Sequence, residues 1–447
     1  MTDYRFVPLD AQSTEALSAT GLELRLVDTA DEAALKRWFL AEIQGFHDSV
    51  PSDEVLARVM HDVGDDRITG VWDPAGADAE SPVATVRSWP MALTVPGGAT
   101  MQAWAISGVT VAPTHRRRGV ARAMMSAELR TAREAGIAMA MLTVSEATIY
   151  RRFGFGPAAY QAHYSIDTSR AGWSGPATAG RVSLVDPKSL LPDAPALFER
   201  ARIRFPGEVD RRPVLWERMF GLYPTTPGHE KSGVRAVRYD DESGELQGFA
   251  VYSFVNENDT YPGRLELADL VAATDAASSA LWRYLVEMDL ISEIRTSLRS
   301  VAEPAAWQLV DYRAVRKTEE RDHLWLRILD LPAALAHRTY SSPGTFVLTV
   351  SDDLGFADGQ YLLTVDADGT ATTHPLAPGE GRPGGNVPAH AARLSLSIAD
   401  LSAIYLGGTS AVTLARAGLV IEQTPGSAAR LDTTFHSPDI PWLSIWF

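Results

Sequence analysis

The chain has 447 residues, too many for one hydrophobic core, so roughly two to four domains are expected. With 45% hydrophobic and 22% charged residues it reads as ordinary globular protein, and the absence of cysteine excludes disulfides, thiolate-bound metals and cysteine catalysis. A formal net charge of -15 argues against a general nucleic-acid binder, and no apolar run reaches signal-peptide or membrane-span length, so a soluble cytoplasmic protein without a membrane partner is expected.

In chain order, LELRLVDT reads as a strand and DEAALKRWFLAEIQGF as a helix begun at an Asp cap. TGVWDP and SPVATVRSWPMALTVP read as strands, PGGA as a turn, and TMQAWAISGVTV as a longer strand. After three consecutive arginines, Val120, Met124, Met125, Leu129 and Ala132 recur at helical spacing, with Gly136 placed to end the helix. IAMAMLTV is a continuous apolar run suited to a strand covered on both faces. A second region, 166–319, repeats this order: strand RLELADLVAAT, helix DAASSALWRYLVEMD capped by Asp275, strand EIRTSL, now without the arginines. It reads either as a degenerate repeat of the first region or as an accidental recurrence of a common unit. The third region, 320–447, opens with LWLRILDLPAALAHRTY. It continues with the hairpin-like GTFVLTVSDD and GQYLLTVDADGTATTH, a Pro/Gly-rich loop over 375–390, and the helices SIADLSAIYLGG and TSAVTLARAG.

The segment Arg116-Arg117-Arg118-Gly119-Val120-Ala121 fits R-x-x-G-x-A between a strand and a helix. A helix start offers unpaired N–H groups and the positive end of the macrodipole, so it suits a pyrophosphate. Gly119 and Ala121 allow close approach, and arginine can fork two donors onto a phosphate. A solvated basic surface is the alternative for such a cluster taken alone.

SGVTVAPTHRRRGVARAMM followed by TVSEATIYRRFGFGPA resembles the GCN5-related N-acetyltransferases (GNAT), and more narrowly their enhanced intracellular survival (Eis) family. The resemblance implies a mixed α/β chain in three parts. These are an acetyl-CoA-binding GNAT domain at 1–165, a second GNAT-like domain lacking the cofactor motif at 166–319, and a sterol-carrier-like domain at 320–447. It implies two parallel strands that splay apart, with the pantetheine arm paired along Val109 and Val111. Arg116, Arg117 and Gly119 would hold the pyrophosphate, with Ala121 beside them and Ser145 along the second strand. His115 and Arg118 are expected to face solvent. Hexamers are the family's assembly, acetyl-CoA is the implied co-substrate, and the ten histidines form no cluster that suggests a metal site.

Amine acetylation needs a neutral nucleophile and a protonated leaving thiolate. A phenol, with a reference pKa of about 10, suits the second task, and the family pattern places its general acid at Tyr150. A packed tyrosine with its hydroxyl tied off is the alternative. For the base, His47, Asp48 and Glu146 are candidates by position; the resemblance adds the α-carboxylate of Phe447, carried into the first domain by the aromatic tail PWLSIWF. Its reference pKa of about 3.3–3.7 should rise on desolvation. Phe46 and Asp48 match the family's acceptor cleft. Two departures alter that cleft: Gly108 stands where a bulky aromatic can occur, and Trp446 stands where an acid can. The implied activity is acetyl transfer to primary amines of cationic acceptors, such as aminoglycoside-like molecules and lysine side chains, with weaker capture of polycations. The alternatives are a lipid or sterol-type binder acting through the third domain, and a transferase of longer acyl-CoA using room left by Gly108.

Overall fold

The computed structural model describes residues 3–223, 233–256, 261–381 and 387–447; positions 382–386 of the Pro/Gly-rich loop lie outside them. Two sheets organise the chain. The larger contains β1 (Glu23–Leu26), β2 (Arg67–Trp72), β3 (Ala84–Thr94), β4 (Thr100–Val111), β5 (Met139–Thr143) and β6 (Gly156–Asp167). It continues with β7 (Arg181–Val185), β8 (Val234–Asp240), β9 (Leu246–Val255), β10 (Gly263–Ala272), β11 (Ile291–Arg299) and β12 (Val315–Ile328). Its strand order, β1-β2-β3-β4-β5-β12-β6-β11-β10-β9-β8-β7, reads the same way inward from both edges. The helix Val120–Glu134 links β4 to β5 as the helix Asp275–Val286 links β10 to β11. This topology identifies the second region as a degenerate repeat of the first.

The two halves exchange their closing strands. β6 follows β5 in sequence but pairs with β11, whereas β12 follows β11 and pairs with β5, from Leu324 opposite Thr143 to Ile328 opposite Met139. LWLRI at the start of the third region therefore belongs to the large sheet. The third unit's own sheet has the order β15-β14-β13-β16-β17, made of β13 (Gly344–Ser351), β14 (Gly359–Val365), β15 (Ala371–Leu376), β16 (Ala392–Ser397) and β17 (Val420–Glu422). One apolar core joins this unit to the first: Leu93, Met101, Met139 and Leu326 pack with Phe346, Leu363 and Leu401.

Local sequence explains the elements that place the site. The helix Val120–Glu134 buries Val120, Met124, Met125, Leu129 and Ala132 on one face, and ends where Gly136 adopts φ +77°. Its Glu128 is buried and accepts hydrogen bonds from Thr69 on β2, Ser88 on β3 and the Trp104 indole on β4, fixing the helix over the sheet. The helix Asp275–Val286 is capped by Thr274, whose hydroxyl accepts from the Ala277 N–H; Asp275, expected as the cap, is its first residue. The tail after 437 buries Trp442, Leu443 and Ile445, about 2 kcal/mol of apolar burial each. That is enough to hold a terminus that would otherwise fray.

Candidate active site

β4 and β5 run parallel and pair only at Trp104–Ala140 and Ala105–Met141, then diverge. From Ser107 to Val111 one edge of β4 carries no strand partner, while its other edge stays on β3. Val109 and Val111 are half-buried on this open stretch, and Ser145 is exposed just beyond β5. An extended chain of amides could satisfy that edge as a strand does.

At the foot of the gap, Arg117 (φ +63°) and Gly119 (φ +80°) both adopt left-handed backbone. Alternation with such residues turns successive N–H groups toward one point and makes an anion cradle. Among the described residues no side chain caps the helix that follows, which leaves its first-turn N–H groups free. A Cβ on Gly119 would meet nothing within 4 Å, so the cradle is open. Arg116 makes only a long contact to the Val111 carbonyl (3.4 Å), and Arg117 and Arg122 have no carboxylate partner among the described residues. Ala121 is half-buried in the first turn. Open strand edge, cradle and free arginines together fit a diphosphate joined to an amide-bearing arm. Arg122 is a cation that the motif reading missed, although its place in the first helical turn was visible. His115 departs from expectation: it is largely covered, bonded through Nε2 to Asp73 (3.0 Å) and through Nδ1 to Thr114 (2.8 Å). Arg118 also leans toward Asp73, at 4.0 Å, and donates to the Thr20 carbonyl. These two residues brace the turn.

Tyr150 closes the short helix Ala147–Tyr150 after β5. Its ring is buried edge-on against Phe155 (6.2 Å between centroids), yet its hydroxyl makes no hydrogen bond among the described residues. Burial, aided by the negative charge of Glu146, pushes the phenol up to about 12. It is a protonated, uncommitted donor.

On the other side of β5, Thr143 donates from Oγ1 to a carboxylate oxygen of Phe447 (3.0 Å), whose ring packs edge-on against Trp89 (6.1 Å). His323 on β12 holds the tail one step earlier, its Nε2 2.7 Å from the Ile445 carbonyl, with its ring against Trp446. Burial pushes His323 down to about 4, so it is the neutral imidazole that donates this bond.

Phe447 and Trp446 line a cleft of 340 Å³ together with Asp48, Glu42, Arg87, Trp89 and Arg212. Asp48 is exposed, with no ion pair or side-chain hydrogen bond among the described residues, whereas Phe46, 43% exposed, is not part of the lining. His47 is the left-handed cap of the helix Glu32–Phe46, and Glu146 is exposed beside Tyr150. Gly108 lies at φ +62°, and a Cβ there would fall 2.4 Å from a Glu42 carboxyl oxygen and 3.2 Å from Trp38. The expected spare room is therefore occupied, which removes the argument that Gly108 accommodates a longer acyl chain. Glu42 itself was missed. Burial raises its pKa against the pull of Arg87, 3.7 Å away. Arg87 and Arg212 both pair with the buried Asp66 and flank the Trp89 ring, at 4.9 and 4.4 Å.

Residues 27–158 match an Acetyltransferase (GNAT) domain family, residues 207–328 a second family of that description, and residues 331–444 the Sterol carrier protein domain. The chain is 39% identical over 371 residues to an "uncharacterized N-acetyltransferase" of Streptomyces avermitilis, covering 80% of this chain and 84% of that one. It is 32% identical over 412 residues to N-acetyltransferase Eis of Mycobacterium tuberculosis, covering 90% and 94%. The crystal structure of Eis1 from Mycobacterium abscessus superposes with a TM-score of 0.77 at 28% identity, over 95% of this chain and all of that one.

Proposed function

Because the chain belongs to the Eis family of GCN5-related N-acetyltransferases, and so is an acetyl-CoA-dependent acyltransferase, we propose that its acceptor is a cationic primary amine bound in the cleft at Asp48. Tyr150 is the general acid and the Phe447 carboxylate the general base. Aminoglycoside-like molecules and lysine side chains fall in this acceptor class.

Val109 and Val111 offer the arm an open strand edge; Arg116, Arg117 and the amides around Gly119 hold the diphosphate. Bound there, acetyl-CoA supplies a thioester carbonyl for an amine to attack and a sulfur that needs a proton on leaving. The Phe447 carboxylate, kept in place by Thr143 and by the anchored tail, takes the proton that the amine loses. The Tyr150 hydroxyl, with no competing acceptor among the described residues, gives its proton at the departing sulfur. Carboxylates of Asp48 and Glu42 attract the ammonium group, while Arg87 and Arg212 line the same cleft and disfavour dense positive charge. One observation carries the reading: the tail's carboxylate is bonded to the same strand whose following turn presents a free phenol. The lipid-binding alternative gains nothing from the third unit, whose apolar sheet face packs against β3, β4 and β12.

A thiol-release assay tests this directly, because a chain with no cysteine gives no background. Against polyamines, aminoglycosides and lysine peptides, release requires a primary amine, and Asp48→Asn raises the acceptor KM about tenfold. Release with no primary amine in the panel overturns the acceptor class. Unimpaired multi-site acetylation of aminoglycosides contradicts the expected weak capture of polycations.

A further inference from the structure

The degenerate half retains its own version of the cofactor gap. β10 and β11 run parallel as far as Leu267 opposite Thr296 and then part, and the helix Asp275–Val286 starts at the foot of the opening. Where the first half has free arginines, this one has Thr274, which occupies the Ala277 N–H as cap, and Asp275 at the helix start, whose carboxylate repels a diphosphate. The gap is nonetheless a cavity of 530 Å³, within the size range of small-ligand sites.

Most of its charges are matched in pairs, which leaves Glu208 and the exposed Asp439 over. Arg202 pairs with Glu199 (2.7 Å), Arg204 with Asp275 (2.6 Å), Arg211 with Asp269 (2.6 Å) and Arg299 with Glu303 (2.7 Å). Glu208 also lines the cavity, is 2% exposed, and its Oε2 has no hydrogen-bond partner among the described residues. Burial pushes this carboxyl up to about 7 against the opposing influence of Arg211 and Ser444, so it ionises readily when a cation arrives. Beside it stand the edge-on rings of Phe205 and Trp442, 5.6 Å apart. One buried carboxylate oxygen without a donor, beside rings that already carry Arg204 (5.7 Å) and Arg299 (5.0 Å) and so offer apolar edges, is matched by an N–H cation with an apolar body.

We infer that the gap between β10 and β11 is a second ligand site, separate from the acceptor cleft, which binds an aryl- or alkylammonium ion through Glu208 and the Phe205–Trp442 wall. This site does not depend on the catalytic roles given above. Its occupant contacts the tail, since Trp442 and Ser444 line the cavity and Ser444 accepts from Arg211 (2.6 Å).

The probe is phenethylammonium, titrated calorimetrically into the full chain at about pH 8 without acetyl-CoA, so that nothing is transferred and Glu208 is ionised. Glu208→Gln weakens binding about tenfold or more, Asp48→Asn leaves that binding event in place, and neutral 2-phenylethanol does not compete. Crystals of the unaltered protein soaked with 4-bromophenethylammonium show the bromine beside Trp442. Equal affinity in Glu208→Gln, or bromine found only at Trp446 or nowhere, overturns the inference.

Discussion

Replacing Tyr150 by Phe removes one oxygen from a ring whose other contacts persist. The hydroxyl has no hydrogen-bond partner among the described residues, so folding loses no such bond, and stability should stay within about 0.5 kcal/mol of the parent. Catalysis loses the proton donor. General acid catalysis contributes about 10²- to 10⁴-fold, so the barrier rises by roughly 3–5 kcal/mol. Burial keeps the phenol protonated up to about 12, so the parent's rate should show no loss from this group below about pH 10. The assay is steady-state thiol release with acetyl-CoA varied at saturating amine, read beside a thermal melt. The expected result is a kcat lowered at least about a hundredfold, with the acetyl-CoA KM and melting midpoint nearly unchanged. A parent-like kcat in Tyr150→Phe would refute the assignment.

Other consequences can be measured in the same preparations. Arg117→Ala should raise the acetyl-CoA KM about tenfold with little change in kcat, increasingly so at low salt, because an exposed guanidinium acts through a screened charge; a changed kcat with constant KM contradicts the cradle. Burial lowers His323 from 6.5 to about 4, so the native state binds fewer protons than the unfolded chain between those values. Its contribution of about 3 kcal/mol is present above about pH 6.5 and lost as pH falls toward 4. Chemical denaturation across that window should show the loss, and His323→Gln should flatten it; an unchanged slope in the variant rules the histidine out as its source.

The cradle was legible because its elements are local. Apolar spacing from Val120 to Ala132, a glycine before the helix and one after it depend on near neighbours only. The strand exchange was not. β12 begins VRKTEERDH, charged and largely exposed, and becomes a strand through backbone pairing with β6, which no side-chain pattern reports. Tyr150 and Phe447 were named from a family likeness; the residues alone left the base open among His47, Asp48 and Glu146. Glu42 had a signal that went unread: it follows Leu35, Trp38 and Phe39 at helical spacing, an acid on the apolar face of its helix. Glu208 had none, since its burial results from the tail folding back from the far end of the chain.

The proton acceptor at the end of the tail is the centre of the account, and semisynthesis can remove its charge while leaving every side chain intact. Joining a C-terminal peptide amide turns the Phe447 carboxylate into a carboxamide, which can still accept from Thr143 but cannot take a proton from an amine. Thiol release then falls about a hundredfold or more, while acetyl-CoA KM and the melting midpoint stay near those of the parent. Turnover equal to the parent's would contradict it.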